Sequence, residues 1–235
     1  MSEVGNTELG YKTEVGKIEE PMLRLCDRLK PLLEDGRYSL IVVEDVSGRL
    51  PALIVKGFSD EVASRSGQEK LPIVFVTNKR SPFTPLAHTI AQTEIEERVL
   101  PVLSKVEGKS NRVLIVTDFI GGGETINRLI NDFNQRNIPT DIAVLRRREQ
   151  QIFPIMLPEG SLLIEGENAT YPPLLTGRYD LIGFEISDSY EGGEGPLKRH
   201  PDRAKATQAR EDVGFMVQKA VARAYPEVED LSKAA

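Results

Sequence analysis

Residues 112–133, which read RVLIVTDFIGGGETINRLINDF, constrain the fold more than any other stretch of the chain. Residues 113–116 form a short apolar run, as expected of a strand that is covered on both faces. Residues 121–123 are glycines, and apolar residues then repeat at helical spacing at Ile126, Leu129, Ile130 and Phe133. The stretch therefore predicts a strand, a tight turn and a helix. Such a turn exposes backbone N–H groups at the positive end of the helix dipole, which suits a phosphate.

Length and composition favour one α/β domain with elaborations. The chain has 235 residues, 40% hydrophobic content and a formal net charge of -6. It has neither an apolar run long enough for a membrane span nor a secretory leader, so we expect a cytoplasmic protein that does not bind membranes. The single cysteine, Cys26, excludes an internal disulfide framework, and its apolar helical surroundings predict a packed thiol.

Strand and helix patterns alternate along the chain, which predicts a parallel sheet. Strands are predicted at 39–43, 71–76, 113–116 and 141–145, with further strands at 161–165 and 180–186. Helices are predicted at 17–34 (bent or broken by Pro21 and Pro31), 50–58, 84–106 and about 207–225. We expect three parts: an N-terminal helical segment (1–36), a core (37–186), and a basic loop with a C-terminal helix (187–235) that forms a cap or dimer arm.

Three other nucleotide-binding motifs fit the glycine turn poorly. No Gly-Lys-Ser/Thr follows the glycines, so the lysine of a P-loop is missing. The G-x-G-x-x-G spacing of a dinucleotide-binding turn is also absent. A methyltransferase-type motif places glycines at alternating positions, whereas here they are contiguous and begin three residues after Asp118.

The turn instead resembles the signature of type I phosphoribosyltransferases. That signature has four apolar residues, two acidic residues, two apolar residues and a short turn like Asp-Thr-Gly-Gly-Thr that opens a helix. Here these positions are residues 113–116, Thr117-Asp118, Phe119-Ile120 and residues 121–125. Residues 38–53 resemble the family's first core strand, pyrophosphate loop and following helix, and residues 71–79 resemble its second strand.

The resemblance implies a Rossmann-like, parallel α/β core that binds phosphoribosyl pyrophosphate with magnesium. It implies that the phosphoribose 5-phosphate lies on Gly121, Gly122, Gly123, Glu124 and Thr125. Asp118 would bind the ribose hydroxyls and is the catalytic candidate. The pyrophosphate would meet Ser47, Gly48 and Arg49, where arginine can bind two oxygens at once. Magnesium in this family has few direct protein ligands, so we assign it none here.

Two function hypotheses from different classes follow. The first is a phosphoribosyltransferase that transfers phosphoribose to an unidentified acceptor and releases pyrophosphate. The second is a non-catalytic sensor or regulatory module that binds the donor or a nucleotide. Departures from the signature at Thr117, Gly121 and Glu124 favour the sensor. The expected partners are a phosphorylated sugar or nucleotide and a second copy of the chain.

Two basic clusters have alternative interpretations. Arg146, Arg147 and Arg148 follow the fourth strand, where the default is a solvated charge run and the alternative is that one of them closes over the ligand. The second cluster contains Lys198, Arg199, His200, Arg203, Lys205 and Arg210. Its default interpretation is a charged loop, and the alternatives are an anion clamp or, more weakly, an RNA contact. The acidic balance of the chain argues against broad nucleic-acid binding.

Overall fold

The computed structural model describes residues 11–44, 48–76, 93–106, 110–149, 153–170, 184–186, 197–199 and 203–226. Several predicted positions lie outside these ranges, among them Ser47, His200, residues 84–92 of the third predicted helix and residues 180–183 of the last predicted strand.

The described residues form an α/β fold. Its strands are β1 (Leu40–Glu44), β2 (Ile73–Val76), β3 (Val113–Ile120), β4 (Thr140–Arg147), β5 (Leu163–Asn168), β6 (Phe184–Ile186) and β7 (Leu197–Arg199). Its helices are a 3-10 turn (Glu14–Ile18), α1 (Glu19–Glu34), α2 (Arg49–Ser66), a π-helical turn (Ile95–Val99) that continues as α3 (Leu100–Leu103), α4 (Glu124–Asn134) and α5 (Arg203–Ala224). Among these residues, β1 to β5 form one parallel sheet in the order β2-β1-β3-β4-β5, and β6 pairs with β7. The predicted α/β class is confirmed.

Helices cover both faces of this sheet. On one face, strand side chains such as Leu114 and Val116 pack against α1 and α2, and Met216 of α5 joins the same cluster. On the other face, Val113 and Ile115 pack against α4 and the Ile95–Val99 turn. Cys26 is fully buried in the first cluster, and burial raises the pKa of its thiol, so the predicted packed thiol is confirmed. No helix within the described ranges is both long and apolar enough to cross a membrane.

Several elements differ from their predicted bounds. Helix α1 runs through Pro21 and Pro31 without a break. Pro21 is tolerated because it lies in the first turn, where a backbone N–H has no acceptor within the helix. Strand β3 continues to Ile120, since its last residues still pair with β4. Helix α2 extends eight residues beyond the predicted end at residue 58, to Ser66, and Gly67 ends it in the left-handed conformation. Helix α5 begins at Arg203, within the segment predicted as a loop.

The buried carboxylate of Asp141 joins the amino ends of several strands. It lies at the start of β4 and is 0% exposed. Four residues donate to it: Arg37 through Nε at 2.6 Å, Tyr38 through its hydroxyl at 3.0 Å, Arg112 through Nη1 at 2.8 Å, and Leu162 through its backbone N–H at 2.9 Å. These donors precede β1, β3 and β5, so one side chain links the beginnings of four strands. Its hydrogen bond raises the pKa of Arg37, and burial, followed by the Asp141 charge, raises the pKa of the Tyr38 hydroxyl.

We predict that Asp141→Ala lowers the free energy of unfolding by about 3–5 kcal/mol, because it leaves two arginines and a buried hydroxyl without their acceptor. Urea denaturation measures this change. The control is Glu211→Gln, which removes an exposed ion pair with Lys12 and should change stability far less than Asp141→Ala does. Equal losses in the two variants would show that Asp141 does not organise the sheet.

Residues 11–18 contact α5 through hydrogen bonds from Lys12 and Thr13. The Asp212 carboxylate of α5 accepts hydrogen bonds from the backbone N–H groups of Lys12 and Thr13 at 2.9 and 2.7 Å. Lys219, about two turns further along α5, donates to both carboxylate oxygens of Glu19 at the start of α1. Burial alone would raise the pKa of Glu19, but the hydrogen bonds from Lys219 and Tyr11 outweigh it, and the pKa is lowered. The Glu19–Lys219 pair therefore stabilises the contact between α1 and α5.

We predict that Glu19→Gln lowers stability at pH 7 by less than about 1 kcal/mol, since the pair is partly exposed. Because the pKa of Glu19 is lowered in the folded state, its charge stabilises the fold at pH values above the ordinary glutamate pKa of 4.5. This contribution is lost as the pH falls through the folded-state pKa. The stability curves of wild type and Glu19→Gln should therefore converge at acid pH. A difference that stays constant from pH 7 to pH 3 would contradict the role assigned to the charge.

Candidate functional site

The candidate site lies at the carboxyl ends of β1 and β3. These strands are neighbours, with Val43 paired to Val116, and the strand order reverses between them because β2 lies beyond β1 and β4 lies beyond β3. Ligands of open parallel sheets bind in the crevice at such a reversal. The chain leaves β1 towards Gly48 and Arg49, and it leaves β3 through the glycine turn. The fold thus brings the two predicted binding segments to one crevice, with Ser47 outside the described residues.

Two helices that begin at this crevice have glycine at the N-cap. The N-cap residue of α2 is Gly48 and that of α4 is Gly123, and neither helix start receives a side-chain hydrogen bond from its cap. The first N–H groups of a helix have no acceptor within the helix, and the helix dipole places partial positive charge there. Both helix starts can therefore bind an anion.

The three glycines of the turn have different environments. A Cβ atom added at Gly121 would lie 3.0 Å from the Phe119 ring. Gly123 has a φ of +83°, and its Cβ would lie 2.6 Å from the Phe153 carbonyl oxygen. At Gly122 a Cβ would meet nothing within 4 Å. Local packing therefore explains two of the glycines, whereas Gly122 borders open space.

The side chains around the turn differ in their access to this space. Asp118 is 9% exposed, and Thr117 is 1% exposed. Thr117 pairs with Val144 in the sheet, so the first position of the expected acidic pair is a buried threonine. Thr125 is partly buried in the first turn of α4, and it and Asp118 both have interaction partners in the structure.

Glu124, one of the three departures from the signature, is ion-paired. Its side chain is 62% exposed and meets Arg128, which lies one turn further along α4. This pair cancels the carboxylate charge next to the turn and directs the side chain along the helix surface. Repulsion of a phosphate by Glu124 is reduced accordingly.

Arg49 is the first residue of α2 and contacts β2. Its guanidinium lies 4.8 Å from the centre of the Phe75 ring. The Phe75 carbonyl also accepts a hydrogen bond from Arg98 at 3.1 Å. A cation in the first turn of a helix is opposed by the helix dipole, so packing on Phe75 offsets an unfavourable position. Arg49 therefore adds positive charge at the β1 side of the crevice.

The connection between β4 and β5 forms a wall beside the glycine turn, which the sequence did not predict. The Arg148 N–H donates to the Ile120 carbonyl at 3.0 Å, and the Phe153 N–H donates to the Gly122 carbonyl at 3.1 Å. The Asn127 side chain of α4 then donates to the Pro154 carbonyl and accepts from the Met156 N–H, both at 2.9 Å. The arginine run was the only sequence signal for this wall, and nothing in the sequence pointed to Phe153.

Comparison with known proteins adds no relative. No family model matches the chain, and no curated protein matches it. The functional interpretation therefore depends on the crevice and on the signature that its residues resemble.

We predict that Gly123→Ala lowers the free energy of unfolding by about 1–3 kcal/mol, because alanine opposes the positive φ and would contact the Phe153 carbonyl. Gly122→Ala should change stability by less than about 0.5 kcal/mol, because its methyl group enters open space. Gly214→Ala on α5, also without a nearby atom, is the control for adding a methyl group elsewhere. Urea denaturation of the three variants measures the difference, and a large loss in Gly122→Ala would mean that this residue also has a packing role.

Proposed function

We propose that the chain binds phosphoribosyl pyrophosphate across this crevice. The 5-phosphate binds the amides of residues 121–125, and the pyrophosphate binds at Gly48 and Arg49. The observation that carries the proposal is the pair of helix starts with glycine N-caps at one crevice, with open space over Gly122. A ligand with two anionic groups separated by a ribose matches this arrangement better than a ligand with one anionic group.

In this proposal, Asp118 accepts hydrogen bonds from the ribose hydroxyls. It lies in β3, three residues before the glycine turn, and it keeps a small exposed fraction. Magnesium accompanies the donor. In this proposal the ion is held mainly by phosphate and ribose oxygens.

The proposed reaction is transfer of phosphoribose. The nucleophilic atom of the acceptor forms a bond to the anomeric carbon while the bond from that carbon to pyrophosphate breaks. Pyrophosphate leaves with the electron pair, and the acceptor proton passes to solvent. In this proposal, the start of α2 and the Arg49 guanidinium stabilise the negative charge that develops on the departing group.

A non-catalytic donor sensor is the second candidate. The burial of Thr117 favours it, because one of the two acidic groups of the signature is replaced by a side chain with almost no exposed surface. Binding then depends on main-chain amides, and the ribose is held by Asp118 without a second carboxylate.

We predict that isothermal titration calorimetry with phosphoribosyl pyrophosphate and magnesium detects binding by the wild-type protein. Gly122→Ala should weaken it at least about tenfold, because the methyl group occupies the space over the turn, while Gly214→Ala should leave it unchanged. Asp118→Asn should also weaken it, because the amide replaces a charged acceptor of hydroxyl hydrogen bonds. No binding by the wild type would overturn both functions.

Pyrophosphate release separates the two functions. A coupled assay with the donor and a panel of bases, orotate and amines should detect release if the chain is a transferase. Donor binding without release across that panel would favour the sensor.

A further inference from the structure

The glycine turn has little positive side-chain charge of its own. Glu124 and Arg128 neutralise each other in the first turns of α4. The helix dipole supplies only about half an elementary charge. A phosphate monoester carries up to two negative charges at neutral pH, so the turn alone compensates only part of the ligand charge.

The arginines at the end of β4 are candidates to compensate the remaining negative charge of the phosphate, but two of them already form ion pairs with glutamates. Arg146 is ion-paired with Glu167 of β5. Arg147 is ion-paired with Glu165, with Nε to Oε1 at 2.8 Å. Both pairs bind the end of β4 to the edge strand.

Arg148 differs from its two neighbours. Its side chain is exposed, and it makes no ion pair with any residue in the described part of the chain. Its backbone N–H donates to the Ile120 carbonyl at 3.0 Å, one residue before Gly121. A backbone hydrogen bond thus fixes the origin of a long cationic side chain directly beside the glycine turn.

We infer that Arg148 is a ligand of the phosphate monoester bound on the glycine turn. The guanidinium binds two phosphate oxygens from the β4 side, while the amides bind from the α4 side. This inference rests on the proposed function and deepens it, since it assigns Arg148 to recognition of the 5-phosphate and not of the pyrophosphate. Arg148 would replace, from another strand, the lysine that a P-loop carries within its turn.

The test titrates ribose 5-phosphate and inorganic pyrophosphate separately into the wild type and variants. Arg148→Gln should weaken the binding of ribose 5-phosphate about tenfold and leave the affinity for pyrophosphate unchanged. Arg148→Lys should recover part of the loss. Lys70→Gln is the control, because it removes one positive charge from an exposed residue that precedes β2, at the opposite end of the sheet. The double variant Arg148→Gln/Gly122→Ala should lose less binding free energy for ribose 5-phosphate than the sum of the two single losses, because both changes act on the same phosphate.

The outcomes distinguish this inference from the proposed function. If Arg148→Gln affects ribose 5-phosphate no more than Lys70→Gln, or weakens both ligands equally, the inference is wrong. The proposed function still stands in that case if Gly122→Ala weakens ribose 5-phosphate. If the wild type binds neither ribose 5-phosphate nor phosphoribosyl pyrophosphate, both the inference and the proposed function fail.

Discussion

The fold depends on a charged group buried at the end of the sheet opposite the candidate site. Asp141 accepts hydrogen bonds from residues that precede β1, β3 and β5, and it belongs to β4 itself. Burial of a carboxylate is unfavourable unless it is paired, so these donors must meet at one point. That requirement aligns the strand starts, and with strands of set length it also places their carboxyl ends. The positions of Gly48 and the glycine turn follow from it.

At the carboxyl edge, the N-cap residues of two helices have no side chain that could accept hydrogen bonds from the first helix N–H groups. Both helices that begin there have glycine at the N-cap, whereas the 3-10 turn at Glu14–Ile18 is capped by the Thr13 side chain. A serine or aspartate at position 48 or 123 would satisfy helix amides internally. At position 123 the positive φ and the nearby Phe153 carbonyl also exclude such residues. The backbone geometry that makes glycine necessary at position 123 thus also means that the N-cap residue brings no side chain of its own to the helix amides.

The sequence predicted the parts of the fold that depend on local pattern. The apolar run at 113–116 and the helical repeat after the glycines predicted β3 and α4, because burial on both faces and helical spacing are encoded nearby. The wall beside the turn was not predictable, since Phe153 reaches Gly122 through a connection with no regular repeat. The burial of Thr117 could not be predicted from local sequence either. It depends on β3 continuing beyond residue 116, where Thr117 pairs with Val144 of β4. The two predicted binding segments lie at one edge because β1 and β3 are parallel neighbours, so their carboxyl ends meet there.

The three departures from the signature have unequal consequences for the proposed ligand. Gly121 lies against Phe119, so a larger residue there would disturb the turn, and Glu124 is neutralised by Arg128. Neither prevents main-chain amides from binding a phosphate. Thr117 is different, because a buried threonine stands where the signature has an acidic residue, and no neighbouring side chain on β3 except Asp118 carries a carboxylate. Donor binding and transfer chemistry are therefore separable in this chain: the first depends on backbone geometry, and the second depends on whether a single carboxylate is enough.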